Sequence, residues 1–320
     1  MMGSRIAGLS LAAMLAAAPA YAQSPGTWST AAQMTTTRGD IGVLESGGKV
    51  YVIAGNSNGR VDSTLVQEFD PATARWRDLA AVPRGSSHVG AAIVNGKIYV
   101  AGGFLANVHK DPIDQLAEYD IATNTWKTLA PMPRPLGSAG LAAVGGKLHV
   151  IGGRGPDTMT VTTHMVYDLA TGRWSDAAPL PLARDHFGTI ALGGKIYVVG
   201  GRTAATVNNV GQTDAYDPVT DKWTTLAPMP TGRSSTFAGV YKDMIVVVGG
   251  ECKNAQTRAA FDEAEAYDPK TNRWTSLQKP PGGMHAGGLA AVGNTAYLFG
   301  GNGGCGGDNP STNVWAFRLP

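Results

Sequence analysis

Six tryptophans, at positions 28, 76, 126, 174, 223 and 274, recur at intervals of 48 to 51 residues. A spacing this regular over most of a 320-residue chain requires one structural unit repeated six times. Other columns keep the same phase. Five of the tryptophans follow an aromatic–aspartate pair: Phe69-Asp70, Tyr119-Asp120, Tyr167-Asp168, Tyr216-Asp217 and Tyr267-Asp268. A glycine pair closes a β-branched run at Gly102-Gly103, Gly152-Gly153, Gly200-Gly201, Gly249-Gly250 and Gly300-Gly301, with Ala54-Gly55 as a degenerate first copy.

Each unit reads as four short strands. A small-residue strand such as Gly90-Ala91-Ala92-Ile93-Val94 turns at Asn95-Gly96-Lys97 into Ile98-Tyr99-Val100-Ala101. A long loop follows the glycine pair, then a strand ending in Tyr-Asp, a turn such as Asp217-Pro218-Val219-Thr220, and the strand that carries Trp. Small residues suit strands that converge on an axis, and large aromatics suit the wider periphery. With 43 glycines and only 16% charged residues the chain is too glycine-rich for a helical bundle and too apolar for disorder. The expected fold is therefore all-β, a six-bladed β-propeller with four antiparallel strands per blade. After Gly300-Gly301 only one strand remains, Asn313 to Phe317, so the strand around Trp28 is expected to complete the last blade and close the ring.

The recurring Gly-Gly, Tyr-Asp-Pro and Trp units, followed by motifs such as Leu226-Ala227-Pro228-Met229-Pro230, resemble the kelch repeat across nearly all of residues 23–320. The resemblance implies a ligand-binding face built by two loop sets, one after the glycine pairs and one leading into the innermost strands. The first set offers Asn56, Phe104, Arg154, Arg202, Glu251 and Asn302. The second offers Arg38-Gly39-Asp40, Ser86-Ser87-His88, Leu136-Gly137-Ser138, Arg184-Asp185-His186, Arg233-Ser234-Ser235 and Met284-His285-Ala286. Arg38, Arg184 and Arg233 share one column and are expected to bond the blades' own backbone. Asp40, His88, Arg154, Asp185, His186, Arg202, Glu251 and His285 break the repeat, and are expected to line an open channel mouth suited to a polar or anionic protein or carbohydrate ligand.

A second resemblance, to periplasmic sialic-acid mutarotases of the same kelch type, implies a carbohydrate-active alternative. There Glu251, after its glycine pair, would transfer protons while Arg202 or Arg258 held an anionic substrate; the long inserted loops of those enzymes are missing from this chain. His88, His186 and His285 sit in separate blades, where a channel would hold them too far apart to share an ion, so neither a metal nor a cofactor is expected. His149 occupies a core strand column, and His109 and His164 read as loop residues. No nucleophile elbow, phosphate loop or metalloprotease motif appears.

Residues 1–22 read as a cleaved secretory signal: Arg5, an apolar run from Ile6 to Ala18, then Ala20-Tyr21-Ala22. The run is too short for a membrane span, which needs about 20 residues. A periplasmic or secreted monomer without membrane insertion is expected, and a net charge of +2 with no basic cluster argues against nucleic-acid binding. Export would place Cys252 and Cys305, in corresponding loops of neighbouring blades, where they can join as a disulfide.

Overall fold

Hairpin turns and glycine pairs divide the chain into blades, and a computed structural model describes residues 26–57, 60, 62–106, 109–205, 207–253, 256–307 and 310–320. The expected signal segment, residues 1–22, lies outside the described residues. Six four-stranded antiparallel sheets surround one axis. The first runs through Gly42–Ser46, Lys49–Ile53, Val66–Asp70 and Arg75–Asp78 from axis to rim. Four more repeat that order, and the sixth is completed from the other end of the chain. Thr27–Thr30 pairs antiparallel with Val314–Arg318, setting Trp28 opposite Phe317. Their rings lie 4.6 Å apart. The expected closure of the ring is thus observed.

The repeated columns have specific tasks. All six column tryptophans donate their indole N–H to a carbonyl of the preceding blade: Trp126 to Ala80, Trp223 to Ala178 and Trp274 to Ala227, for example, at 2.8–2.9 Å. Trp28 does the same to Gln278, at 3.0 Å, across the closure. Each is an aromatic wedge with one polar tip, which a phenylalanine could not replace.

The glycine pairs stitch blades near the axis. The second residue of each pair donates its N–H to the next blade's inner-strand lead-in, as Gly153 does to Arg184 and Gly201 to Arg233. Gly201 has φ +101°, and a Cβ there would lie 2.7 Å from the Asp185 carbonyl oxygen, so both conformation and space demand glycine. On the innermost strands, a Cβ at Gly140 would fall 1.9 Å from the Thr189 hydroxyl of the next blade. Convergence on the axis therefore selects small residues. Arg38, Arg184 and Arg233 are fully buried. They bond the Ala54, Val198 and Gly249 carbonyls, and the latter two also pair with Asp214 and Glu265. Their column is structural.

Cys252 and Cys305 form a disulfide linking the loops of blades five and six, with Cα atoms 4.9 Å apart. Among the described residues no helix is long and apolar enough to cross a membrane.

Candidate functional site

The two loop sets meet residue by residue. Gly39 pairs with Asn56, Ser87 with Phe104, Gly137 with Arg154, Asp185 with Arg202 and His285 with Asn302, each as a local antiparallel bridge. In blade five the Glu251 N–H donates to the Ser234 carbonyl. The middle residue of every lead-in triplet is thereby fixed beside the residue that follows a glycine pair.

The third residue of each triplet faces the axis. Asp40, His88, Ser138, His186, Ser235 and Ala286 all adopt left-handed backbone, with φ between 52° and 59°. Their backbones form a belt. Asp40 donates to Ala286, His88 to Asp40, Ser138 to His88, Ser235 to His186 and Ala286 to Ser235, at 2.5–3.1 Å. Left-handed backbone in residues other than glycine is uncommon and clusters where a side chain has a task. This chain spends glycine freely elsewhere but places none in the belt. The six residues border an axial cavity of about 190 Å³, whose walls continue down the inner strands through Thr189, Thr236 and Leu289.

The charged side chains assemble into a cap above the belt rather than an open mouth. Arg202, 1% exposed, lies at its centre. It pairs with Glu251 and with Asp185, the latter at 3.2 Å, and its Nη2 lies 3.0 Å from His186 Nε2 and 3.3 Å from His109 Nε2. Arg154 pairs with Asp185 and with the Thr158 and Ala204 carbonyls. The second Glu251 oxygen accepts the Gly306 N–H at 3.1 Å. Arg154 and Arg202, expected to line the channel mouth and hold a ligand, are here buried and paired with Asp185 and Glu251. Burial of a guanidinium demands a carboxylate partner, and the repeat-breaking acids supply it internally.

On the opposite side of the cap, Asp40 accepts from Asn56 Nδ2 at 2.5 Å and lies 3.1 Å from His88 Nε2. Asn302, 3% exposed, has no partner among the described residues for either its side-chain nitrogen or its oxygen. Burial drives the Asp40 carboxyl up to about 7, with His285 partly opposing the rise. Burial also acts on Glu251, but Arg202 foremost among its neighbours holds that carboxyl at about 2, fully ionised. His88 is pushed down to about 4 by burial and Arg202, and His109 to about 3 by burial and His88. His186 lies well below its ordinary value for the same reasons, and burial lowers His285 too. At neutral pH these imidazoles are uncharged.

The histidines are not arranged as expected. His88 and His186 are both third residues of their triplets, and their rings approach to 5.0 Å. His285 is a middle residue; a shift of one position along an extended strand turns a side chain to the other face, and its Nδ1 meets the Asn302 carbonyl instead. His109, expected to be a loop residue, is carried by the hairpin Phe104–Ala106 and Lys110–Pro112 onto the axis. Its ring packs against His88, Phe104 and His186. His164, also read as a loop residue, begins the strand His164–Asp168 and is buried against His149 in blade three. Arg258, the second arginine considered for substrate, lies exposed on the rim, where it donates to the Cys305 carbonyl at 3.2 Å. Glu251 and Arg258 therefore do not share the cavity.

The model of the attractin/LZTR1 β-propeller family matches residues 50–309. A putative F-box/kelch-repeat protein of Arabidopsis thaliana is 33% identical over 88 residues, which cover 27% of this chain and only 23% of that protein. The solved structure of YjhT superposes with a TM-score of 0.75 at 18% identity, covering 89% of this chain and 96% of its own. That likeness speaks for the fold.

Proposed function

We propose, starting from the fact that this chain belongs to the attractin/LZTR1 β-propeller family of kelch type, that it is an exported protein binding a small carbohydrate in the axial cavity beneath the loop cap. The observation that carries this reading is the belt. Five blades present a carboxyl, imidazole or hydroxyl group at one level around about 190 Å³. That volume is below the roughly 300–1,000 Å³ of sites for drug-sized molecules, so it suits an occupant of monosaccharide size. Polar groups at a fixed spacing, with Val43, Leu141 and Leu289 among the wall residues beneath them, match a ring of hydroxyls with one apolar face. A protein partner finds less support. Among the described residues the exposed large hydrophobics are Met159, Val207 and Val219, in three separate loops.

A second reading draws support from the pair formed by Asp40 and His88. A carboxyl that gains and loses its proton near neutrality, 3.1 Å from a neutral imidazole, suits a relay between a sugar's anomeric hydroxyl and ring oxygen. This would be mutarotation or epimerisation, with Asp40 rather than Glu251 transferring the proton, because Glu251 is locked to Arg202. The test is a thermal-shift screen of neutral monosaccharides and sugar acids, with anomer exchange followed by NMR for every hit. Ligand at a hundred times Kd would stabilise by about 2.7 kcal/mol. Loss of the shift in Ser138→Val and of exchange in Asp40→Asn would support the two readings in turn. No shift with any sugar at millimolar concentration would refute both.

A further inference from the structure

One feature of the cap goes beyond sugar binding and does not depend on it. Three imidazoles from two blades converge: His88 and His186 from the belt of blades two and four, and His109 from the blade-two hairpin above. One nitrogen from each lies within 4.8 Å of the other two, the one such group of histidine, cysteine or acidic side chains among the described residues. We propose that His88, His109 and His186 bind a divalent transition ion of the borderline class, Zn²⁺ foremost.

The geometry is close to what such an ion needs. Nitrogens bound at about 2.0–2.1 Å around a tetrahedral Zn²⁺ stand roughly 3.4 Å from one another. His109 Nε2 and His186 Nε2 are already 3.2 Å apart. The widest pair has to close by roughly 1.5 Å, within reach of small side-chain rotations. The outer shell is also in place. His186 Nδ1 lies 2.6 Å from Asp185 Oδ1. That carboxylate fixes the ring proton on Nδ1 and leaves the Nε2 lone pair facing the other imidazoles, the arrangement that orients metal-bound histidines. His88 Nδ1 is 2.9 Å from the Ser87 hydroxyl. Three nitrogens and no thiolate select Zn²⁺, Ni²⁺ or Cu²⁺ over Mg²⁺ and Ca²⁺.

Charge balance permits a cation. Asp40, Asp185 and Glu251 face the cluster along with two guanidinium groups, Arg154 and Arg202. Arg202 Nη2 now donates into the two Nε2 lone pairs that the ion would take. The ion must displace those two hydrogen bonds and the 3.3 Å contact of the Ser138 hydroxyl with His186 Nε2. It must also displace one of the two His88 contacts, Nε2 with Asp40 or Nδ1 with Ser87, while the Glu251 and Asp185 pairs keep the guanidinium anchored. Because His88 and His186 also line the axial cavity, a fourth ligand can arrive from it.

Tag-free, chelator-treated protein would be titrated with Co²⁺ and Zn²⁺, without sugar, by visible absorption and calorimetry. One ion per chain with the intense d–d bands of tetrahedral Co²⁺ is expected. His88→Ala, His109→Ala and His186→Ala should each weaken binding at least tenfold, whereas His149→Tyr, which restores a column residue, should leave it unchanged. Should a variant fail to fold, the wild-type protein with ¹⁵N-labelled histidine decides: Zn²⁺ must shift the side-chain signals of His88, His109 and His186. Absence of saturable binding, or shifts confined to His149, His164 or His285, overturns the site. A sugar screen that fails while Zn²⁺ binds leaves this inference standing, and the reverse result removes it alone.

Discussion

Mild acid should destabilise this protein well above the pH at which carboxylates protonate. All six histidines are held below their ordinary value of 6.5, and burial is the leading cause for each. A group whose folded pKa is depressed binds fewer protons folded than unfolded, so stability falls as pH drops below 6.5. For His88, His109 and His149, with folded values of about 4, 3 and 4, the step from pH 7 to 5 removes about 1.8 kcal/mol each, roughly 5 kcal/mol together. Asp40 acts in the opposite direction. Raised from 3.8 to about 7, it takes up a proton in the folded state over the same interval and returns about 2.3 kcal/mol. The net loss is about 3 kcal/mol before His164, His186 and His285 add to it. At roughly 2–4 °C per kcal/mol the melting temperature should drop by about 6–12 °C between pH 7 and 5. Calorimetric scans at half-unit intervals, with urea unfolding at the same pH values, would measure it. A flat profile from pH 7 to 5, or one that first falls below pH 4.5, would refute the neutral buried histidines. His149→Tyr should reduce the slope by close to one proton, and Asp40→Asn should steepen it.

Removing half of the central ion pair, as in Arg202→Ala or Glu251→Ala, should cost about 3–5 kcal/mol by thermal unfolding, because the surviving charge stays buried; an unchanged melting temperature would mean that the cap opens to water. Reducing the Cys252–Cys305 bridge, which spans 53 residues, should cost about 4 kcal/mol in the chain-entropy account, read as a lower melting temperature in reductant that a Cys252→Ser/Cys305→Ser variant reproduces. Deleting residues 23–30 should lower the melting temperature and produce concentration-dependent dimers in light scattering, since the exposed edge of Val314–Arg318 offers unpaired backbone; a truncated chain that stays monomeric with unchanged stability would contradict the closure.

The repeat was legible because each column has a task that one residue type performs. A Trp indole N–H must reach a carbonyl one blade away, and Gly201 must be left-handed where no Cβ fits. The register of the two loop sets was legible for the same reason, and the structure pairs Asp185 with Arg202 and His285 with Asn302 at those positions. What the sequence did not disclose was which side chains meet. Arg202 reads as a free charge until Asp185 and Glu251 close on it from two blades. His109 and His186 are 77 residues apart and meet only because a short hairpin folds over the axis. Periodicity carries strand positions; it says nothing about the path of a loop that departs from the period.

The belt of Asp40, His88, Ser138, His186, Ser235 and Ala286 is tied through main-chain N–H and C=O groups, which every residue type except proline possesses. The ring is thus indifferent to the chemistry it displays. Six side chains line one cavity, and exchanging them alters the recognition surface while leaving the main-chain bonds of the belt in place. Such a scaffold can acquire a new specificity through single substitutions. Asparagine, aspartate and glycine are the least strained newcomers at a left-handed position, so the belt offers a compact six-letter library for redirecting what the cavity accepts.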